Sequence, residues 1–429
     1  MYTPPSFRAV LKDRASPALL LTAFIRAIGA LGATSLTYVL AERLTVADFA
    51  DFFSWLSWAL LLSLILRLGG DKLLIKKVLN REQRESKEVI STQVLIIAAA
   101  LLTAYGFYSM MQQPWSPIRL AVGEQLLIFS LLAVIGYYFV AVLISMGHAA
   151  SACLMQVGFL QFLVAVFIIV SPDASFDSID IQQLIITMYI VIVVLTSWKV
   201  LKSIRDFDWA DKSGKNSVIS SSSSIWRSRI QFFIAGLGGN FQTIGMYAVV
   251  ALFLIDIDFL AFRYFERIAA FSSMVTIFQG VILPSYVFRG KGTRLTPTVL
   301  RRLFASMAFS IGLAVLISVI LLVGKVFFAD LFLVNTTTTL FALLLLTHCV
   351  IALSSPLSFT LLFSEFESVV FKIQALYIVF TSAALYISYT SSGLEGMIIT
   401  LLLMQVLRLC ALLAIPFLFF KTFKKGVNE

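Results

Sequence analysis

Residues that carry chemistry are few in this chain. It has three cysteines and two histidines in 429 residues, and only 13% of its residues are charged. Cys153, Cys349 and Cys410 all fall inside apolar stretches, where a thiol packs as a small hydrophobe rather than forming disulfides. His148 and His348 lie far apart and lack metal-ligand spacing. There is no nucleotide-binding loop, no pair of carboxylates in a polar loop, no metal cluster and no Ser-His-Asp pattern. These absences argue against an enzyme and against a pump driven directly by ATP, and they call for no cofactor or metal. The scarcity of charge also excludes an ordinary soluble domain.

Apolar sequence is abundant instead. Hydrophobic residues make up 59% of the chain and the mean hydropathy is +0.94. Runs of roughly 20 apolar residues recur along its length, as membrane spans do. The runs are continuous rather than alternating, so they read as helices, which satisfy their own backbone groups in lipid. Twelve spans are expected: 17–40, 49–66, 89–111, 120–146, 149–170, 181–201, 228–254, 259–288, 303–324, 331–355, 368–388 and 395–420. Arg8, Lys12 and Arg14 precede a first span too long for a cleavable signal peptide.

Of the 33 Lys and Arg, 28 can be placed in loops, tails or the end turns of spans. With the N-terminus inside, 25 of these lie on inner segments and three, Arg43, Arg119 and Lys325, on outer ones. This bias places both termini in the cytoplasm. It sets the net charge of +10 against an anionic inner leaflet rather than nucleic acid. The expected location is a membrane, with the lipid bilayer as a partner.

The longest gap between spans, 202–227, contains Ser220–Ser224 and reads as a cytoplasmic linker. It divides the chain into an N-terminal lobe, 1–201, and a C-terminal lobe, 228–429, of six spans each. A short match supports the division: Ala47-Asp48-Phe49 opens span 2 and Ile257-Asp258-Phe259 opens span 8. The fold class is therefore all-α and polytopic, with twelve helices in two six-helix lobes around a central cationic cavity.

Five arginines stand inside the spans: Arg26, Arg229, Arg263, Arg267 and Arg408. The spans hold only two clear acids, Glu124 and Glu266. A charge at mid-membrane costs about 2.5–3.5 kcal/mol on insertion scales. Arg26 lies nine residues into span 1, about 13 Å deep at 1.5 Å per residue. Arg408 is similarly central. Arg263 and Arg267, four apart, share a helix face, and Glu266 can pair with Arg263. Arg229 can snorkel to the headgroups or join the cavity. A wet cationic cavity for an anionic substrate accounts for the excess, and arginine's planar fork suits phosphate.

Gly236, Gly238, Gly239 and Asn240, followed by Gln242 and Gly245, lie near the middle of span 7. They suit either a bending gate helix or close packing. Gly29 and Gly32 permit the same two readings, and Pro284, Pro356 and Pro416 mark kinks. The scattered intramembrane glutamines read mostly as glue between helices. Glu124, Glu266 and His348 are the candidates for ion coupling.

Three stretches resemble polysaccharide (O-antigen-type) flippases of the multidrug/oligosaccharidyl-lipid/polysaccharide superfamily. They are Leu66-Arg67-Leu68-Gly69-Gly70-Asp71-Lys72-Leu73-Leu74-Ile75-Lys76-Lys77, Val281-Ile282-Leu283-Pro284, and Ser392-Gly393-Leu394-Glu395-Gly396-Met397-Ile398-Ile399. Glu395 and Met397 depart from the small or apolar residues common there. The resemblance implies alternating access and an undecaprenyl-diphosphate-linked oligosaccharide as substrate, for surface polysaccharide synthesis. It implies a monomer in a bacterial inner membrane that works beside a polysaccharide polymerase and a chain-length regulator. Competing expectations are a multidrug exporter or peptidoglycan-precursor flippase of the same superfamily, and a membrane-embedded glycosyl- or acyltransferase seeded by Asp71, Glu124 or His148.

Overall fold

The computed structural model describes residues 16–79, 88–89, 91–96, 98–99, 124–146, 148–171, 176–206, 222–241, 245–273, 296–327, 337–362, 364 and 366–426. All regular structure among them is helical, as the continuous apolar runs require. Span 3 is represented by helical residues 91–96 and a few neighbours. Pro284 and Gln242 lie outside the described residues.

In the first half, α1 (Ser16–Arg43), α2 (Val46–Arg67) and α4 (Glu124–Ser145) are long and apolar enough to cross a bilayer. Between α2 and α4 comes the short α3 (Gly70–Leu79). Span 5 is broken into α5 (Ala149–Leu154) and α6 (Val157–Val170), with Gln156 extended between them. The half ends with α7 (Ser178–Asp206).

The second half opens with α8 (Ser222–Asn240) and α9 (Met246–Val250). After Gly238, Gly239 and Asn240 the α-helical pattern of α8 gives way to π-helical geometry at Phe241 and Gly245. α10 (Asp256–Ala269) runs into a 3-10 turn, Ala270–Ser273. Then follow α11 (Pro297–Phe327), α12 (Thr338–Leu362) and α13 (Glu367–Gly426). Helix takes residues from both ends of segment 202–227, because α7 reaches Asp206 and α8 starts at Ser222. Pro356 and Pro416 sit inside continuous helices.

α13 counts 60 residues, about 90 Å if straight, against a hydrocarbon core of about 30 Å. It is folded back at Gly393, whose φ of 64° and ψ of −157° only glycine adopts without strain. Ser388 and Thr400, twelve residues apart, hydrogen-bond through their hydroxyls at 2.6 Å. α13 therefore supplies two antiparallel spans, where hydropathy predicts the separate spans 368–388 and 395–420.

α1 and α6 approach closely through Gly29 and Gly158, where a Cβ on Gly158 would fall 2.8 Å from the Gly29 carbonyl oxygen. Close packing, not bending, is the use of Gly29. The core of the first half is aromatic: Phe49, Phe52, Phe53, Trp55, Phe129 and Tyr189 form a continuous contact chain. α7 and α11 turn large apolar side chains such as Leu195, Trp198, Val319 and Ile320 outward. Water would reject that surface and lipid accepts it.

Candidate functional site

The structure places the five intramembrane arginines in different surroundings. α10 carries two of them on its polar face. Arg263 is 2% exposed, with its guanidinium carbon 3.8 Å from the centroid of the Tyr247 ring and 4.8 Å from that of Phe53. Arg267 lies over the same Tyr247 ring at 5.3 Å. The four-residue spacing thus brings both cations to one side of the helix. Ring faces stabilise a desolvated guanidinium by about 2 kcal/mol or more, without using its N–H groups. Arg263 Nε and Nη1 are buried and have no hydrogen-bond partner among the described residues.

Glu266 does not pair with Arg263, contrary to the sequence expectation. Its Oε1 lies 3.3 Å from His348 Nε2 on α12, and its Oε2 lies 3.9 Å from Arg267 Nε. His348 Nδ1 is held at 2.8 Å by Ser273 Oγ. Arg263 is drawn instead onto the two rings, and that leaves its donors unmatched.

These residues sit where the two halves meet. Phe53 belongs to α2 in the first half, and Thr34 of α1 donates to the Arg267 carbonyl oxygen at 3.3 Å. Tyr38 of α1 meets Tyr264 of α10 with ring centroids 6.4 Å apart. A cavity of about 510 Å³ opens beside them, lined by Thr34, Ser35, Tyr38, Glu42, Arg43 and Phe271 among others, with one acid and one cation.

Arg26 is 9% exposed, and its Nε donates to Cys153 Sγ at 3.1 Å. The thiol, read from sequence as packing alone, is also the acceptor that anchors this arginine. The kink after α5 helps to set Cys153 against α1. Arg408 lies among neutral groups. Its Nε donates to Gln374 Oε1 at 3.0 Å, and Tyr377 lies under its guanidinium.

Arg229 is fully buried and does not snorkel. Its Nη1 donates to Gln93 Oε1 at 3.0 Å and its Nη2 to the Val89 carbonyl oxygen at 2.7 Å, tying α8 to span 3. Tyr138 adds a hydroxyl bond to the same Gln93 oxygen at 2.6 Å. Burial follows from α3, which crosses this junction. Gly69 has φ +68°, and a Cβ there would fall 2.6 Å from the Arg229 carbonyl oxygen. Lys76 of α3 forms an ion pair with Glu367 of α13, so α3 bridges the two halves.

Loop counting missed Arg67. Assigned to an inner loop, it is 3% exposed, pairs with Asp71 at 2.8 Å and stacks on Tyr137 at 3.9 Å. The i, i+4 spacing of Arg67 and Asp71 was the available signal. Asp71 is thereby engaged by an arginine. Glu124 is exposed at the first turn of α4, and His148 is exposed at the start of α5. Gly238, Gly239 and Asn240 close α8, directly before the π-helical Phe241.

No protein-family model and no curated protein sequence matches the chain. Its fold does match solved structures. MATE in complex with MaL6 is 15% identical with a TM-score of 0.65, covering 95% of this chain and 97% of that one. The Vibrio cholerae MATE transporter VcmN in the bent form is 16% identical with a TM-score of 0.57, covering 93% and 95%. The outward-facing conformation of a multidrug resistance MATE family transporter of the MOP superfamily is 14% identical with a TM-score of 0.62, covering 99% and 100%. The chain therefore has the fold of the MATE transporters, all-α with twelve helices in two lobes, and it is a multi-pass membrane protein.

Proposed function

We propose that this protein moves a polyprenyl-diphosphate-linked oligosaccharide across the bacterial cytoplasmic membrane by alternating access, for surface polysaccharide synthesis. Arg263 carries this reading. A buried guanidinium with two unmatched donors, beside a second arginine and at the junction of the halves, suits an anion that arrives and leaves. Two arginines four residues apart offer bidentate contacts to a diphosphate. Arg26 and Arg229 belong to the same substrate-binding set as supports on either side of that junction. The bias of Lys and Arg to inner segments supports cytoplasmic termini. We further read Glu266 and His348 as the groups through which an ion could be coupled.

Export of organic compounds is the second reading, favoured by the fold shared with a multidrug resistance transporter. An exporter of organic cations calls for accessible acids at the junction. Among the described residues, Asp71 is paired with Arg67. Glu266 lies 3.3 Å from His348 and 3.9 Å from Arg267, with its Oε2 lacking a hydrogen-bond partner. Glu266 and the cavity-lining Glu42 are therefore the acids such a cation would use.

Binding separates the two. In nanodiscs, polyprenyl diphosphate should bind wild type, and Arg263→Met should weaken it about tenfold or more, the value of one charge-assisted hydrogen bond lost. Equal affinity of the two proteins would remove Arg263 from the site and the proposal with it.

A further inference from the structure

Arg408 poses a charge problem that its own helices do not solve. It is 3% exposed, and Gln374 and Gln405 beside it are wholly buried. Arg408 Nε donates to Gln374 Oε1 at 3.0 Å, and Gln374 Nε2 donates to Ser358 Oγ at 3.1 Å. Gln405 Nε2 donates to the Tyr377 hydroxyl at 2.6 Å, while the Tyr377 ring lies 5.2 Å from the Arg408 guanidinium carbon. Every one of these partners is neutral. Arg408 Nη1 is buried and has no hydrogen-bond partner among the described residues.

The counter-charge does not come from the surrounding sequence. α13 packs on α12, α8 and α9. α8, α9 and α12 contain no Asp or Glu, and the two acids of α13 are placed elsewhere: Glu367 pairs with Lys76, and Glu395 is exposed beside the turn at Gly393. Of the acids on α10, which packs on α12, Asp256 is exposed, Asp258 accepts from the Tyr389 hydroxyl, and Glu266 lies 3.3 Å from His348 and 3.9 Å from Arg267. Arginine keeps its proton in proteins, and a buried charge left without a partner costs several kcal/mol. Neutral dipoles recover part of that and a counter-ion recovers more.

We propose that Arg408 holds a small monovalent anion, chloride under cellular conditions, as a resident counter-ion inside the C-terminal half. The size follows from the sealed surroundings. A diphosphate bearing glycan and lipid would have to break the Gln374–Ser358 and Gln405–Tyr377 bonds. A monatomic anion needs only the unmatched side of the guanidinium. Arg408 thus leaves the substrate-binding set, and the assignment stands independently of what is transported.

The test uses the purified full-length protein in detergent, in gluconate buffer, with chloride or bromide exchanged for gluconate at constant ionic strength. A ligand bound only by the folded state raises the unfolding midpoint saturably. Wild type should show that rise with both halides. Gln374→Glu places a carboxylate beside Arg408 Nε, so it should melt higher in gluconate and no longer respond to halide. Arg408→Met should also lose the response, while Arg263→Met should keep it. A wild type indifferent to halide would overturn the proposal. So would a Gln374→Glu protein that responds as wild type does, or a response abolished only by Arg263→Met.

Discussion

A cation at the end of a hydrophobic span can reach the headgroups or turn inward, and hydropathy does not distinguish the two. Arg67 and Arg229 turn inward because partners wait there: Asp71 and Tyr137 for one, Gln93 and the Val89 carbonyl for the other. Lys72 extends this cluster outside the spans. Burial pushes its ammonium down to about 8, with Arg67 adding to the effect and Asp71 opposing it. A lysine whose proton is held less tightly in the folded state than in the unfolded chain makes folding release protons. Stability therefore rises with pH from about 8 to the ordinary lysine value near 10.5. The unfolding midpoint of wild type, relative to Lys72→Met, should climb between pH 7.5 and 9.5. A constant difference across that range would show that Lys72 titrates as an exposed lysine.

Among the elements, α3 is the one whose role exceeds its length. The turn before it requires two successive left-handed residues, Leu68 at φ 44° and Gly69 at φ +68°. Their reward is a helix that leaves α2, packs Leu73 and Leu74 inward, and reaches the second half through Lys76 and Glu367. Such a bridge must open if the halves are to rock apart at this end. A disulfide between cysteines at Lys76 and Glu367 should abolish transport and return it on reduction. Undiminished transport with the disulfide formed would mean that α3 is not part of the moving junction. The glycine pair and the basic run of this element were legible in the sequence; its contact across the halves was not, because no local pattern encodes a partner 291 residues away. The spans themselves were legible from hydropathy, including the two, 368–388 and 395–420, that meet at the turn of Gly393. The break between α5 and α6 was not read from sequence, because a single Gln156 between apolar neighbours looks the same as the glutamines that stay inside a helix, such as Gln374 and Gln405.

At the scale of the whole molecule, the excess of intramembrane arginine was visible in composition, but its distribution was not. Arg263 and Arg267 meet at the junction, Arg26 is anchored by Cys153, and Arg408 is enclosed among α12 and α13. A helix period predicts which residues share a face, as it did for Arg263 and Arg267. It does not say whether that face meets a cavity, an aromatic ring or another helix. On the proposed reading, the two lobes of the MATE-like fold alternate and the chemistry at their junction decides what passes. The most direct measurement is translocation in vesicles reconstituted with the pure protein and a fluorescent polyprenyl-diphosphate oligosaccharide, read as the fraction of label accessible from outside over time. Wild type should move the lipid, Arg263→Lys should move it more slowly, and Arg263→Met should fall to the rate of empty vesicles. Wild-type vesicles that leave the lipid in place while expelling an organic cation would contradict the account.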